Sequence, residues 1–219
     1  MNIKIFPSLI AADQLKLAEI ITQLEPYCDG FHLDIMDNHF VPNLTWGPLM
    51  VNAIAEHAKK IIFVHIMAEN PDKIIQDLKL RARDIVSFHI ESKPDFNSTN
   101  KIIKEKKALS CLAISPKTEL KQIFSYLPDL DQILLMSVQP GFSGQSFLKD
   151  SIERLKALHD YKQQRGLKFE IAMDGGINEQ NIHELVQNGA TSFAVASAVF
   201  SKTDQIAALK NLYNVALEG

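Results

Sequence analysis

Three residues of the segment FHLDIMDNHF (residues 31–40) alternate along an otherwise apolar run: His32, Asp34 and Met36. A strand projects residues i, i+2 and i+4 from one face, so these three leave a buried element together. Unpaired charge there is costly, and partners are expected. Later runs offer them. IIFVHIMA carries His65 and Met67, QILLMSV carries Met136, FEIAMDGG contains Asp174, and Ser8 follows Pro7 at the end of the first run. Two imidazoles and two carboxylates, His32, Asp34, His65 and Asp174, form a four-ligand set that suits zinc, manganese or iron better than calcium or magnesium. Taken singly, each histidine reads as an interior residue satisfied by a neighbour. Four such residues at corresponding strand ends favour a site. Met36, Met67 and Met136 stay open to two readings, core filler or an uncharged floor under a substrate.

Glycine gathers in the later loops. QPGFSGQ (Gln139–Gln145) holds Gly141, Phe142, Ser143 and Gly144; DGGIN holds Gly175 and Gly176; ASA spans Ala196 to Ala198 and includes Ser197. Each glycine alone makes an ordinary turn. Clustered after three successive late strands and beside a short helix start, they point to backbone N–H groups gripping a phosphate. His89 and Glu91, read as ending the fourth strand on one face, either orient the ligands or line the rim. Trp46 is expected to pack a loop or an interface.

Eight short apolar runs can position these residues: Lys4–Ile10, Phe31–Met36, Ile61–Met67, Ile85–Glu91, Leu109–Ser115, Gln132–Val138, Phe169–Asp174 and Ser192–Ala196. Helical periodicity lies between them, as in Asp13–Leu24 and Phe147–Gln163, with helix-start signals at Asp13, Asn70-Pro71 and Thr203-Asp204. Nearly continuous apolar strands separated by helices predict a parallel sheet covered by helices. Eight units in 219 residues predict a closed α/β barrel, the (β/α)8 TIM type, as a single catalytic domain over 1–219. In such a barrel function collects at the C-terminal strand ends, where the polar residues fall. No G-x-G-x-x-G follows the first strand, which counts against a dinucleotide fold.

The net charge of −3 counts against a nucleic-acid surface. The densest basic stretch, Lys101 to Lys107, reads as a solvated helix face. Cys28 and Cys111 are too far apart for a C-x-x-C unit and suggest a reducing compartment. MNIKIFPSLI reads as a strand rather than a signal peptide, and no apolar stretch approaches the ~20 residues that span a bilayer. A cytoplasmic protein without nucleic-acid or membrane partners is expected.

HLDIMDNHFVPNLTWGP, VHIM, LLMSVQPGFSGQSF and MDGGIN, bracketed by FPSLIAAD and SAVF, together resemble the ribulose-phosphate 3-epimerase family over nearly the whole chain. The resemblance implies a ribulose-phosphate-binding (β/α)8 barrel that interconverts D-ribulose 5-phosphate and D-xylulose 5-phosphate in the pentose phosphate pathway. It also implies one divalent metal ion (zinc, iron, manganese or cobalt) and a homo-oligomer. By the same resemblance His32, Asp34, His65 and Asp174 are metal ligands, and Asp34 and Asp174 are the acid/base pair. Ser8, His65 and the three methionines contact substrate, and Gly141 to Gly144, Gly175, Gly176, Ala196 and Ser197 grip it. Inverting a carbon beside a ketone requires a proton to leave one face and another to arrive on the opposite face, which two carboxylates perform if one starts ionised and the other protonated.

Asn38 stands where that family usually has Gly, Ser115 and Gln139 where Asn is common, Ser143 where Gly is common, and Ala196 replaces a common Gly. These departures bear on substrate preference. A hexulose phosphate such as D-allulose 6-phosphate is the nearest alternative substrate. An amino-acid-pathway isomerase and a barrel that binds sugar phosphate without turnover are the further alternatives.

Overall fold

The computed structural model describes residues 3–218. Eight parallel strands form one sheet: β1 (Lys4–Pro7), β2 (Gly30–Met36), β3 (Ile61–Met67), β4 (Ile85–His89), β5 (Leu109–Ile114), β6 (Gln132–Met136), β7 (Glu170–Asp174) and β8 (Ser192–Val195). Their order is β1-β8-β7-β6-β5-β4-β3-β2, and a single parallel bridge, Ser8 to His32, joins the two ends. The sheet thus curls into the expected barrel.

The alternation seen in β2 holds. Phe31, Leu33 and Ile35 join the apolar layer between sheet and helices, while His32, Asp34 and Met36 point inward. That outer layer is the main core. A smaller cluster fills the barrel interior below the polar residues, built from Phe6, Phe63, Ile85, Cys111, Leu134 and Met136 among others. Cys28 and Cys111 are both buried free thiols. Trp46 packs against the outer layer.

The helices are α1 (Leu17–Leu24), α2 (Pro48–His57), α3 (Pro71–Asp77), α4 (Phe96–Glu105), α5 (Asp150–Gln164), α6 (Ile182–Gln187), α7 (Ser197–Phe200) and α8 (Gln205–Leu217). Asp204 caps α8 by accepting from the N–H of Ala207, and Asp13 accepts from the N–H of Leu15 in the 3-10 turn before α1. Asn70 precedes α3 without a side-chain cap, and Pro71 at the first position sets the helix instead.

All strands but β3 differ at an end from the sequence expectation, most by one or two residues. β1 stops at Pro7 because Leu9–Ala11 wind into a 3-10 turn. β4 stops at His89 because Ile90–Ser92 form another, closed by left-handed Lys93 before Pro94. Glu91 is therefore in a turn and not on the strand. The fifth connection has no α-helix among the described residues; two 3-10 turns, Leu120–Gln122 and Leu127–Asp129, cover the sheet with buried Ile123 and Leu127. Pro128, without an N–H, prevents the second turn from extending backward into an α-helix.

Candidate metal centre and active site

Register brings the polar residues to one level. Asp34 pairs with His65 across β2 and β3, Met36 with Met67, and Met136 with Asp174 across β6 and β7. His32 sits one inward step below Asp34. One atom from each of His32, Asp34, His65 and Asp174 can be chosen so that all four lie within 4.8 Å of one another. The structure therefore brings together the whole predicted ligand set.

The hydrogen bonds define what those atoms offer. Ser8 Oγ donates to Asp34 Oδ2 at 2.6 Å, so its proton is engaged. His32 Nδ1, 3.3 Å from the same oxygen of Ser8, is then the donor of that pair, and the lone pair of neutral His32 rests on Nε2. His32 Nε2 is 4.0 Å from Asp174 Oδ2; His65 Nδ1 is 3.3 Å from Asp34 Oδ1 and 3.3 Å from Asp174 Oδ2. Neither nitrogen has a hydrogen bond of acceptable geometry, and both are buried. Two partnerless imidazole nitrogens facing two carboxylates make a poor polar core and a good cation site. The donor set fits a divalent ion of the borderline class, with two nitrogen and two oxygen atoms.

Electrostatics agree. Burial works to raise the pKa of Asp34, but the charge and contacts of His32 and His65 dominate and hold it well below the usual carboxylate range. Burial likewise opposes charge on His65, yet its contacts with Asp174 and Asp34 raise its pKa to about 9. In the absence of a cation, a proton on His65 offsets part of the negative charge facing it.

His89 is buried, with Nε2 2.9 Å from His65 Nε2 and Nδ1 2.9 Å from Glu91 Oε2. The pair therefore backs the ligands and does not line the rim. Burial lowers the pKa of His89 despite the pull of Glu91. Burial would raise that of Glu91, but the contact with His89 and bonds from Thr118 and the Ser115 N–H hold it at about 2.

Above the polar cluster an open cleft is lined by Ser8, Asp34, the three methionines and Asp174. Its walls are Gly141 to Gly144, Gly175, Gly176, Ala196 and Ser197. Met36 and Met67 pack with Val41, and Met136 packs in the interior cluster, while all three also line the cleft. Phe142 stands 54% exposed at the mouth. Gly175 has φ +116, and an added Cβ would lie 2.4 Å from Val138 Cγ2; at Gly176, with φ +66, it would lie 2.6 Å from the backbone nitrogen of Phe147. These positions need glycine for backbone conformation and for space. Asn38 occupies the left-handed region at φ 58, which Asn tolerates.

Several residues of the site carried no sequence signal of their own. Val138, Ile177 and Ala194 line the cleft as apolar residues indistinguishable in sequence from core. Ser137 reaches the carbonyls of Asp174 at 2.9 Å and Gly175 at 2.6 Å, tying the end of β7 to β6. A lone hydroxyl in QILLMSV was the available hint.

The sequence profile described as the ribulose-phosphate 3 epimerase family matches residues 4–200. A ribulose-phosphate 3-epimerase of Synechocystis sp. is 37% identical over 216 residues, covering 97% of this chain and 94% of that protein. One of Bacillus subtilis is 34% identical over 212 residues, covering 96% and 98%. Among solved structures, KGPDC from Streptococcus mutans aligns with a TM-score of 0.73 at 11% identity, covering 99% of this chain and 98% of that one. Phosphoribosyl anthranilate isomerase from Thermococcus kodakaraensis aligns with a TM-score of 0.67 at 13% identity, covering 99% and 100%. At such identities the likeness speaks for the barrel fold alone. No helix among the described residues is long and apolar enough to cross a membrane.

Proposed function

The chain belongs to the ribulose-phosphate 3-epimerase family of isomerases, and on that premise we propose that it inverts C3 of D-ribulose 5-phosphate through Asp34 and Asp174 at a divalent metal centre. The observation that carries this reading is the buried four-ligand group, in which His32 Nε2 and His65 Nδ1 lack hydrogen-bond partners and face two carboxylates.

The two carboxylates differ in their contacts. Asp34 has one oxygen against His65 and the other accepting from Ser8, an environment that keeps it ionised and suits it to remove the C3 proton. Asp174 approaches the same His65 nitrogen from β7 and makes its histidine contacts through Oδ2 alone. Oδ1 is then the atom that presents a proton to the opposite face of the carbon. Proton removal leaves negative charge on the sugar oxygens, which a divalent ion held by His32, Asp34, His65 and Asp174 would offset by Lewis-acid chemistry. Met36, Met67 and Met136 border the reacting carbon without a proton donor, so the carboxylates alone decide where the proton returns. Ser8 contacts the sugar end, while the loops at Gly141 to Gly144, Gly175, Gly176, Ala196 and Ser197 hold the phosphate and fix orientation.

The test is a coupled assay of metal-loaded protein on D-ribulose 5-phosphate and D-allulose 6-phosphate, together with solvent deuterium incorporation at C3. Higher kcat/KM on the pentulose with deuterium gained at C3 is expected. Higher kcat/KM on the hexulose would reassign the substrate, and turnover without exchange would refute the two-carboxylate route.

A further inference from the structure

We infer that His89 and Glu91 are positioning residues that fix which nitrogen His65 presents to the metal and thereby set the affinity of the centre. This inference rests on the metal reading above.

Donors and acceptors along the chain of contacts allow one assignment for the neutral rings. The Ser115 N–H donates to Glu91 Oε1 at 2.8 Å, and Glu91 Oε2 lies 2.9 Å from His89 Nδ1. An ionised carboxylate only accepts, so His89 Nδ1 carries the ring proton. His89 Nε2 is then a lone pair. His65 Nε2, 2.9 Å away, must donate to it. The remaining His65 nitrogen, Nδ1, is left with the lone pair, and it is the atom aimed at Asp34 and Asp174. Every hydrogen bond runs outward from the centre and ends on Glu91. The reverse polarity would need Glu91 to donate, and would leave a proton on His65 Nδ1 where the cation must sit.

Packing holds this polarity in place. His89 is buried, stacked on His65 at a ring separation of 5.1 Å and 26° between planes, with Phe40 at 5.0 Å on another side. Ser8 performs the equivalent service for His32 from just past the end of β1, so each ligand imidazole has its own polar support. Supports of this kind raise ligand basicity and hold ring orientation, and their loss costs metal affinity.

The experiment titrates Co2+ into metal-stripped wild type, His89→Phe, His89→Gln and Glu91→Gln, reading the visible absorption of the bound ion and its affinity by chelator competition. Thermal melts check folding. His89→Phe keeps a ring in the stack but removes the acceptor, and about 10- to 100-fold weaker binding with an altered spectrum is expected. Glu91→Gln preserves volume and separates loss of the relay from loss of packing; about tenfold weaker binding is expected. The amide oxygen of His89→Gln can accept from His65 Nε2, so affinity within several-fold of wild type and an unchanged spectrum are expected. Wild-type affinity in His89→Phe and Glu91→Gln, or equal loss in His89→Phe and His89→Gln, would overturn the relay and leave the metal centre standing. Failure of wild type to bind Co2+ would overturn the metal centre and the relay with it.

Discussion

Loading the centre with a divalent ion at neutral pH should expel close to one proton. The perturbation is metal binding to the stripped protein, and the proton comes from His65, whose pKa is raised from 6.5 to about 9 by Asp174 and Asp34. The ion needs the same Nδ1 that carries the proton, so the two compete. At pH 7, about two units below that pKa, His65 is almost fully protonated, and competition weakens apparent affinity about 100-fold, or ~2.7 kcal/mol. Affinity should rise about tenfold per pH unit from 7 to 8.5 and level off above 9. Calorimetric titration at pH 7 in buffers of different ionisation enthalpy counts the released protons directly. The same raised pKa stabilises the metal-free fold, fully below pH 6.5, and that contribution is lost as pH rises through 9. Melting temperature of stripped protein should therefore fall between those values more steeply than that of loaded protein. A pH-independent metal affinity from 7 to 9, or no released proton at pH 7, would refute this electrostatic picture of His65.

Asp34→Asn and Asp174→Asn should each reduce kcat at least about 100-fold with an unchanged circular dichroism spectrum, since general acid/base groups contribute about 10²–10⁴ each; near-normal turnover in either would remove it from the mechanism. Gly176→Ala should raise KM for the sugar phosphate and lower stability by about 1–2 kcal/mol, because it adds left-handed strain and a Cβ 2.6 Å from the Phe147 nitrogen; denaturant melts and initial rates measure both. Glu91, with its pKa depressed from 4.5 to about 2, contributes stability that is complete above 4.5 and lost as pH falls through 2. The stability gap between wild type and Glu91→Gln should accordingly be flat at neutral pH and narrow in acid. Asn38→Gly should stay within about 1 kcal/mol of wild type in urea melts, whereas Asn38→Val at φ 58 should cost about 2 kcal/mol.

Much of the barrel was legible because period-two polarity survives on a parallel strand. His32, Asp34 and Met36 could be assigned to one face from spacing alone, and matching strand ends then drew in His65 and Asp174. The ends of elements were less legible. Leu9 and Ile90 look like strand residues, and only tertiary packing turns them into 3-10 turns. The segment from Thr118 to Leu130 has enough leucine and isoleucine to imply a helix, but two short turns bury Ile123 and Leu127 equally well. Glu91 was placed on a strand and lies in a turn, yet it reaches His89 from there. Ser137 and Val138 had no distinguishing mark, because their roles depend on what β7 brings beside them.

The closure of the barrel sets an order for its assembly. Strands β2 to β8 each pair with the strand made just before or after, so they can accrete as the chain emerges. β1 cannot: Lys4 pairs with Ser192, about 190 residues later, and at about 5–20 residues/s its ladder partner leaves the ribosome roughly 10–40 s afterwards. Until then β1 is held toward β2 by the Ser8 to His32 bridge, the Ser8 to Asp34 hydrogen bond and the bonds between Ile5 and Asp29. The hydroxyl that supports Asp34 and His32 therefore takes its place among the last events of synthesis, when β7 also delivers Asp174. A nascent chain can present His32, Asp34 and His65 on paired strands well before the pocket that uses them is finished, and a chain stalled before β8 leaves β1 without its ladder and Ser8 without a fixed position over Asp34.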